Sequence, residues 1–314
     1  MKITILNDSF FNESHLDQLR ELGELAVFDG TANTKDAIIR TANSDVVLAD
    51  IFLSDFNKEY FESVPNLKLL AINSTSFALV DLKTAETKGI KVANCPGFSK
   101  RSVAELAVGL MFSAVRGISY GDKKYREGFT DQDQASKEGR EFISYNLEGK
   151  TLGVVGVGRI GSEIANIAQG IGMNVVGWNR TKRDGIKLVE LDELMNTSDV
   201  VVVTLAYSDE TENTLSKELL FKLKENAVVV NIGKRNLIDM GTLTELLMKN
   251  KIRGAGFDWA QCEKNDPLLT LNNVVFTPHI ASYTAESFYK NLPDMIVANV
   301  RNFAEGNPQN IVNT

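Results

Sequence analysis

The apolar run Thr151-Leu152-Gly153-Val154-Val155 passes directly into Gly156-Val157-Gly158-Arg159-Ile160-Gly161, and the residues that follow place Ile160, Ile164, Ile167 and Ile171 on one helical face. A buried strand, a glycine turn and an amphipathic helix in that order commit this part of the chain to a parallel βαβ arrangement. The glycines have separate mechanical jobs. Gly156 permits a tight turn, Gly158 lets the backbone approach a pyrophosphate, and Gly161 lets helix and strand pack closely. Arg159 and Ile160 then open the helix whose N-terminus holds the diphosphate. Alone the hexapeptide is weak evidence; between strand and helix it reads as a dinucleotide-binding loop.

Short runs rich in Val and Ile alternate with stretches of helical period over almost the whole chain, so the fold class is α/β with parallel sheets. The first hundred residues predict strands at Ile3-Asn7, Ala26-Asp29, Asp45-Ala49, Leu67-Ile72 and Lys91-Asn94, with helices at His15-Leu22 and Thr34-Thr41 between them. That is one small doubly wound domain. A second series predicts six strands, at Lys150-Gly156, Asn174-Asn179, Asp199-Leu205, Ala227-Ile232, Gly254-Asp258 and Asn273-Thr277, enough for a dinucleotide-binding sheet. Between the series, Ser102-Val103-Ala104-Glu105 has capping-box spacing and predicts a connecting helix to about Val115. The charged stretch Ser119-Asn146 is expected to be an exposed arm or dimer contact, and Thr284-Ala304 predicts a last amphipathic helix.

Composition narrows the partners. With 34 basic against 41 acidic residues and a net charge of −7, the chain presents no cationic field for nucleic acid or an anionic bilayer. The N-terminal run turns polar after six residues and no apolar stretch is long enough to span, so a cytoplasmic protein is expected. Cys95 and Cys262 are too few for a disulfide framework or a metal cluster, and no metal is expected. Only two histidines occur. His15 lies among Glu13, Asp17 and Gln18 and reads as a solvated surface residue. His279, in Thr277-Pro278-His279-Ile280-Ala281, is therefore the candidate for any proton transfer near neutral pH.

Cofactor choice should be written at the end of the strand after the glycine loop, where a carboxylate would take the ribose hydroxyls. That carboxylate is missing. Val175-Val176-Gly177-Trp178 runs instead into Asn179-Arg180-Thr181-Lys182-Arg183, neutral and cationic donors suited to a 2′-phosphate. NADP is favoured over NAD. The other reading is a solvated basic turn beside a pocket that still takes NAD.

The ordered segments Leu67-Lys68 through Val80-Asp81, Gly89 through Val92, Ser102 through Glu105, the glycine loop, Asn231 through Asp239, Asp258 and Thr277-Pro278-His279 cover nearly the whole chain. In them the chain resembles the D-isomer-specific 2-hydroxyacid dehydrogenase family. The resemblance implies a flavodoxin-like substrate domain (1–98 plus 285–314) and a Rossmann NAD(P)-binding domain (99–284), with the active site in the cleft between them. It implies a small 2-keto acid or D-2-hydroxy acid as substrate, of the glyoxylate or hydroxypyruvate kind, with phosphoglycerate dehydrogenases as close relatives, and a homodimer. His279 would donate a proton as hydride reaches the carbonyl carbon, and Glu263 would orient the imidazole and favour its cationic form. The amides around Thr75, Ser76, Phe77 and Ala78 would hold the substrate carboxylate. Asp258 would face the nicotinamide amide, and Leu205, Ile232 and Gly233 would join the cofactor side.

Two departures stand out. Where the family has Arg followed by Gly, this chain has Lys234-Arg235, and Lys264 replaces the proline after the glutamate. If Lys234 anchors the substrate, charge survives but the planar fork is lost. If Arg235 does so, the backbone must slip by one residue. If neither does, activity is weak. Those changes keep open a catalytically weak or inactive NAD(P)-binding sensor or docking protein as the alternative. Lys100-Arg101, just before the connecting helix, is a solvated loop pair or an extra anion contact.

Overall fold

The computed structural model describes the chain with residues 8, 32, 131–138, 182–184, 260, 261 and 314 excepted. Lys182 and Arg183 of the basic run, and part of the expected arm, lie outside the described residues. Two compact units result: Met1–Ser99 with Tyr283–Thr314, and Lys100–Ser282.

The first unit carries strands β1 (Lys2–Ile5), β2 (Glu24–Val27), β3 (Val46–Ala49), β4 (Leu69–Ile72) and β5 (Lys91–Ala93) in the parallel order β2-β1-β3-β4-β5. Its first four helices are α1 (Glu13–Arg20), α2 (Thr34–Thr41), α3 (Lys58–Ser63) and α4 (Leu82–Thr87). The pleat sends alternate residues to opposite faces. Val47 and Ala49 of β3 join a core with Ala37, Tyr60, Phe61 and Ala85, whereas Val46 and Leu48 join Leu19, Leu292, Ile296 and Val300. Because β3 and β4 are buried on both faces they read as continuous apolar runs.

In the second unit, α5 (Lys100–Arg116) and α6 (Ile118–Arg126) precede β6 (Thr151–Val155), α7 (Arg159–Gly170), β7 (Asn174–Trp178), β8 (Lys187–Leu188), α8 (Leu191–Thr197), β9 (Val200–Val203), α9 (Lys217–Leu220), β10 (Val228–Asn231), α10 (Met240–Met248), β11 (Gly254–Asp258) and β12 (Val274–Thr277). A π turn at Ser287–Asn291 then leads into α11 (Leu292–Ala304), which belongs to the first unit. The sheet order is β12-β11-β10-β9-β6-β7-β8, parallel throughout. The order reverses beside β6, where open α/β sheets bind ligands at the carboxyl ends of their strands. Leu152, Val154, Val200, Val202, Val228 and Val230 face α5 and α7, and the alternate residues face α8, α9 and α10.

Four expectations need correction. Among the described residues the second sheet has seven strands, not six, because two-residue β8 is too short to show a period. The connecting helix opens at Lys100, so Ser102 lies buried inside its first turn rather than at the cap. Lys100 and Arg101 are accordingly helical, not loop residues. Arg101 bonds Glu105 (2.7 Å) and Glu163 (2.8 Å), acidic neighbours that offset its unfavourable place at the positive end of the dipole. His15 is buried, not solvated, at 5 % exposure. It is the third residue of a capping box: Asn12 Oδ1 accepts from the His15 amide (3.1 Å), the Asn12 amide donates to His15 Nδ1 (3.2 Å), and Nε2 meets Asp294 (3.1 Å). The partner carboxylate comes from a helix at the far end of the chain, so local sequence could not reveal it.

Part of the Ser119-Asn146 stretch is the helix α6, none of whose residues is buried. Among the described residues no single helix is long and apolar enough to cross a membrane, and no group of three metal-ligating side chains converges.

Candidate active site

Since every strand of the second sheet points the same way, the residues following β6, β7, β9, β10, β11 and β12 emerge along one edge. That edge gathers the glycine loop, Asn179, Leu205, Ile232, Gly233, Lys234, Asp258 and His279.

Gly156 has φ +101°, and a Cβ there would lie 2.9 Å from the Leu205 amide nitrogen. A Cβ on Gly161 would lie 2.3 Å from the Gly156 carbonyl oxygen, so helix and strand could not pack as closely. Gly158 differs: nothing lies within 4 Å of its Cβ position, so no neighbouring protein atom demands a glycine there. It caps α7 without any side-chain hydrogen bond. The first-turn amides of Arg159, Ile160 and Gly161 thus form the positive end of a twelve-residue helix beside an open approach, which fits a pyrophosphate.

After β7, Asn179 Nδ2 donates to the Thr181 carbonyl (2.9 Å) and hydroxyl (3.0 Å), closing its own turn. Arg180 pairs with Glu210 at 2.5 Å, both side chains more than half exposed. Glu210 brings a carboxylate to this turn from a distant loop, which the sequence did not disclose.

At the end of β10, buried Asn231 bonds the Gly233 amide (2.8 Å) and the Lys234 carbonyl (3.1 Å), which fixes the following turn. Lys234 is extended and exposed, with no side-chain partner among the described residues. Arg235 begins the 3-10 turn Arg235–Leu237 with no left-handed backbone. Its guanidinium meets Asp266 at 2.5 Å, Cys262 Sγ at 3.8 Å and the Trp259 ring at 5.2 Å. Burial pulls the Asp266 carboxyl up, but the Leu268 amide and Arg235 outweigh it and hold it below the ordinary range. Cys262 is pushed up by burial and by Asp266, so its thiol stays protonated near neutral pH.

Asp258 ends β11 and is only 3 % exposed. Its Oδ1 accepts from Thr277 Oγ1 (2.6 Å) and the Ile280 amide (2.9 Å), and its Oδ2 from the Ala281 amide (3.0 Å). Between those donors, His279 stands at φ +58°, a left-handed geometry that costs a non-glycine residue about 1–2 kcal/mol. Its imidazole is exposed, and no bond joins it to Glu263, also exposed, among the described residues. The expected orienting pair is therefore not brought together here.

In the first unit, Thr75–Ala78 follow β4 and are exposed. Asn94 Nδ2 bonds the Thr75 carbonyl (2.8 Å), and the Ser76 amide donates to Ser74 Oγ (3.0 Å). The Ala78 amide reaches Ser76 Oγ at 3.4 Å, while those of Thr75 and Phe77 have no acceptor among the described residues.

A model of the D-isomer specific 2-hydroxyacid dehydrogenase NAD-binding domain matches residues 108–281. The chain is 33% identical over 328 residues to a hydroxypyruvate reductase from Blautia hydrogenotrophica, covering 100% of both. It is 31% identical to a glyoxylate reductase from Korarchaeum cryptofilum, covering 96% of this chain and 93% of that protein. Among solved structures, an acyclic imino acid reductase (Bsp5) in complex with NADPH and D-Arg superposes with TM-score 0.84 at 32% identity, covering 99% of this chain and 100% of that one. A D-2-hydroxyisocaproate dehydrogenase superposes at 0.86 over the whole of both chains with 21% identity, a likeness of fold. Nothing in these relatives favours the non-catalytic alternative. The chain belongs to the D-isomer specific 2-hydroxyacid dehydrogenase family and is a hydride-transferring oxidoreductase that uses a nicotinamide cofactor.

Proposed function

We propose that this enzyme reduces a small 2-keto acid of the glyoxylate or hydroxypyruvate kind to the D-2-hydroxy acid, with His279 as proton donor. The observation that carries the reading is the emergence of His279, Lys234 and the glycine loop along one edge of one parallel sheet, with the His279 ring exposed and unpartnered among the described residues. The bound nicotinamide supplies the hydride. Gly156, Gly158 and the first-turn amides of α7 would hold its diphosphate, with Leu205, Ile232, Gly233 and Asp258 nearby. His279 would hand its proton to the carbonyl oxygen as charge grows there, and Glu263 would accept from the other ring nitrogen, a bond that forms with substrate in place. The unsatisfied amides of Thr75 and Phe77, with those of Ser76 and Ala78, suit a substrate carboxylate.

Lys234 is the better anchor. Arg235 is already engaged by Asp266 and Trp259, whereas the Lys234 ammonium has no competing acid among the described residues. We further assign NADP in preference to NAD. Asn179 stands where a ribose-binding carboxylate would be, and the Arg180–Glu210 pair is an exposed one that a 2′-phosphate can displace, such pairs being worth up to about 1 kcal/mol. The relative bound to NADPH supports this assignment. A cytoplasmic homodimer completes the proposal.

Oxidation of NADPH and NADH is measured with a panel of 2-keto acids for wild type and for His279→Ala, Lys234→Ala and Arg235→Ala. Loss of turnover in the histidine variant by about 10²–10⁴-fold is expected; undiminished turnover would refute the donor assignment.

A further inference from the structure

We infer that Asp258 is a positioning residue: its buried carboxylate is the internal anion around which Thr277–Ala281 folds, and it thereby sets the direction in which the His279 imidazole leaves the sheet. The inference rests on the reading of His279 as proton donor. It differs from a cofactor contact, which is the role the family resemblance implies.

Asp258 pairs with Thr277 across β11 and β12, so the last residues of the two strands stand side by side where the turn begins. Thr277 Oγ1 donates to Oδ1 at 2.6 Å. Pro278 carries no amide hydrogen, and the His279 amide is taken by the Thr277 carbonyl at 3.0 Å. The next two amides, Ile280 and Ala281, converge on the carboxylate at 2.9 and 3.0 Å. Successive amides turned inward by a left-handed residue form an anion-binding concavity. Here the anion is the protein's own.

The same contacts account for the backbone of His279. A left-handed non-glycine residue persists only where its surroundings over-determine it. Charge-assisted bonds to Asp258 on either side of His279 do that, because the turn cannot relax to a right-handed form without withdrawing two amides from a buried carboxylate. Among the described residues no cation contacts Asp258, so its three donors are what stabilise its charge. A carboxylate has about four acceptor positions. Three are occupied by the turn, so the carboxylate's principal work is local, and its influence on the reaction passes through the aim of the imidazole.

The test compares wild type with the near-isosteric Asp258→Asn and with Thr277→Val, which removes one donor and leaves the carboxylate in place. Because the chain has only two histidines and His15 is buried in its own cap, ¹⁵N-histidine spectra report the His279 ring with His15 as internal reference. In Asp258→Asn the His279 ring signals should move while those of His15 do not. Exchange of the Ile280 and Ala281 amides should quicken by about tenfold, as expected for loss of one charge-assisted bond. In turnover, kcat should fall by about 10²-fold, the scale of a misaimed reacting group, while the directly measured Kd for the nicotinamide cofactor stays within about threefold. Thr277→Val should show the same pattern more weakly. Unchanged ring signals and amide exchange in Asp258→Asn would overturn the inference, as would a kcat near wild type with cofactor Kd raised about tenfold. If His279→Ala alone retains turnover, the donor reading has failed, and the spectra still decide whether Asp258 holds the turn.

Discussion

The two histidines are held in opposite ways. At His15 the ring is fixed and the backbone relaxed: both ring nitrogens have partners, the residue is helical, and it is buried. At His279 the backbone is constrained and the ring is left open: φ is +58°, flanking amides are tied to Asp258, and the imidazole faces solvent. A ring with both nitrogens satisfied braces the fold. One left unsatisfied on a strained, pinned turn is open to a ligand, as the proposed proton donor requires, and strained geometry collects at functional sites. Residue type alone does not make that distinction; where the hydrogen bonds go does.

Substitutions at the two histidines should have opposite effects. His279→Ala should cost about 10²–10⁴-fold in kcat with little change in melting temperature, whereas His15→Ala should leave turnover near wild type and destabilise the first unit by about 1–3 kcal/mol, through loss of the buried ring's packing and of its bonds to the exposed Asn12 and Asp294. A melting shift for the first and a turnover loss for the second would reverse the assignment. Next in size, Lys234→Ala should raise the keto-acid KM by about 10–100-fold, the range for a bond to a charged group, and Arg235→Ala should act mainly on the segment holding Asp266. Steady-state kinetics with both variants separate the two. Cofactor selectivity should respond less: Arg180→Ala should weaken NADPH several-fold, about 1 kcal/mol or less, and leave NADH binding unchanged by titration.

The smallest effect concerns acid. Asp294 is pulled up by burial, yet Lys290 and His15 outweigh this and hold it below the ordinary carboxylate range. A depressed folded value contributes stability that is present above the ordinary carboxylate pKa and is lost as pH falls through the folded one. Asp294→Asn should therefore flatten the acid limb of the melting profile slightly, since this carboxylate is half exposed.

What sequence could disclose follows from range. Val200–Val203 and Val228–Asn231 are buried on both faces, so apolar runs alone located them. Gly156 and Gly161 were legible because the positive φ of the first and the close approach of its carbonyl to the second arise within one βα turn, whereas the crowding of Gly156 by Leu205 comes from a distant strand end. Thr34–Thr41 matched its helical pattern residue for residue. By contrast, β8 is two residues long, and the helix α6 buries nothing that would enforce a period. Several contacts that shape the site join distant segments, Asp258 to Ile280 and Ala281, Arg235 to Asp266 and Arg180 to Glu210, as does the bracing pair His15–Asp294 in the first unit. Register and topology create them, and a one-dimensional pattern carries neither.

The placement of α11 has a consequence for the order of assembly. Leu292, Ile296 and Val300 fill one face of a core whose strands, Lys2–Ile5 to Lys91–Ala93, were synthesised long before the helix that begins at Leu292. During vectorial synthesis the second unit, contiguous from Lys100 to Ser282, has all of its segments before the first unit has its last helix. The earliest part of the polypeptide is thus the last to finish folding, and until then the apolar flank of its sheet that α1 covers only in part stays open, an interval in which a holdase has something to grip.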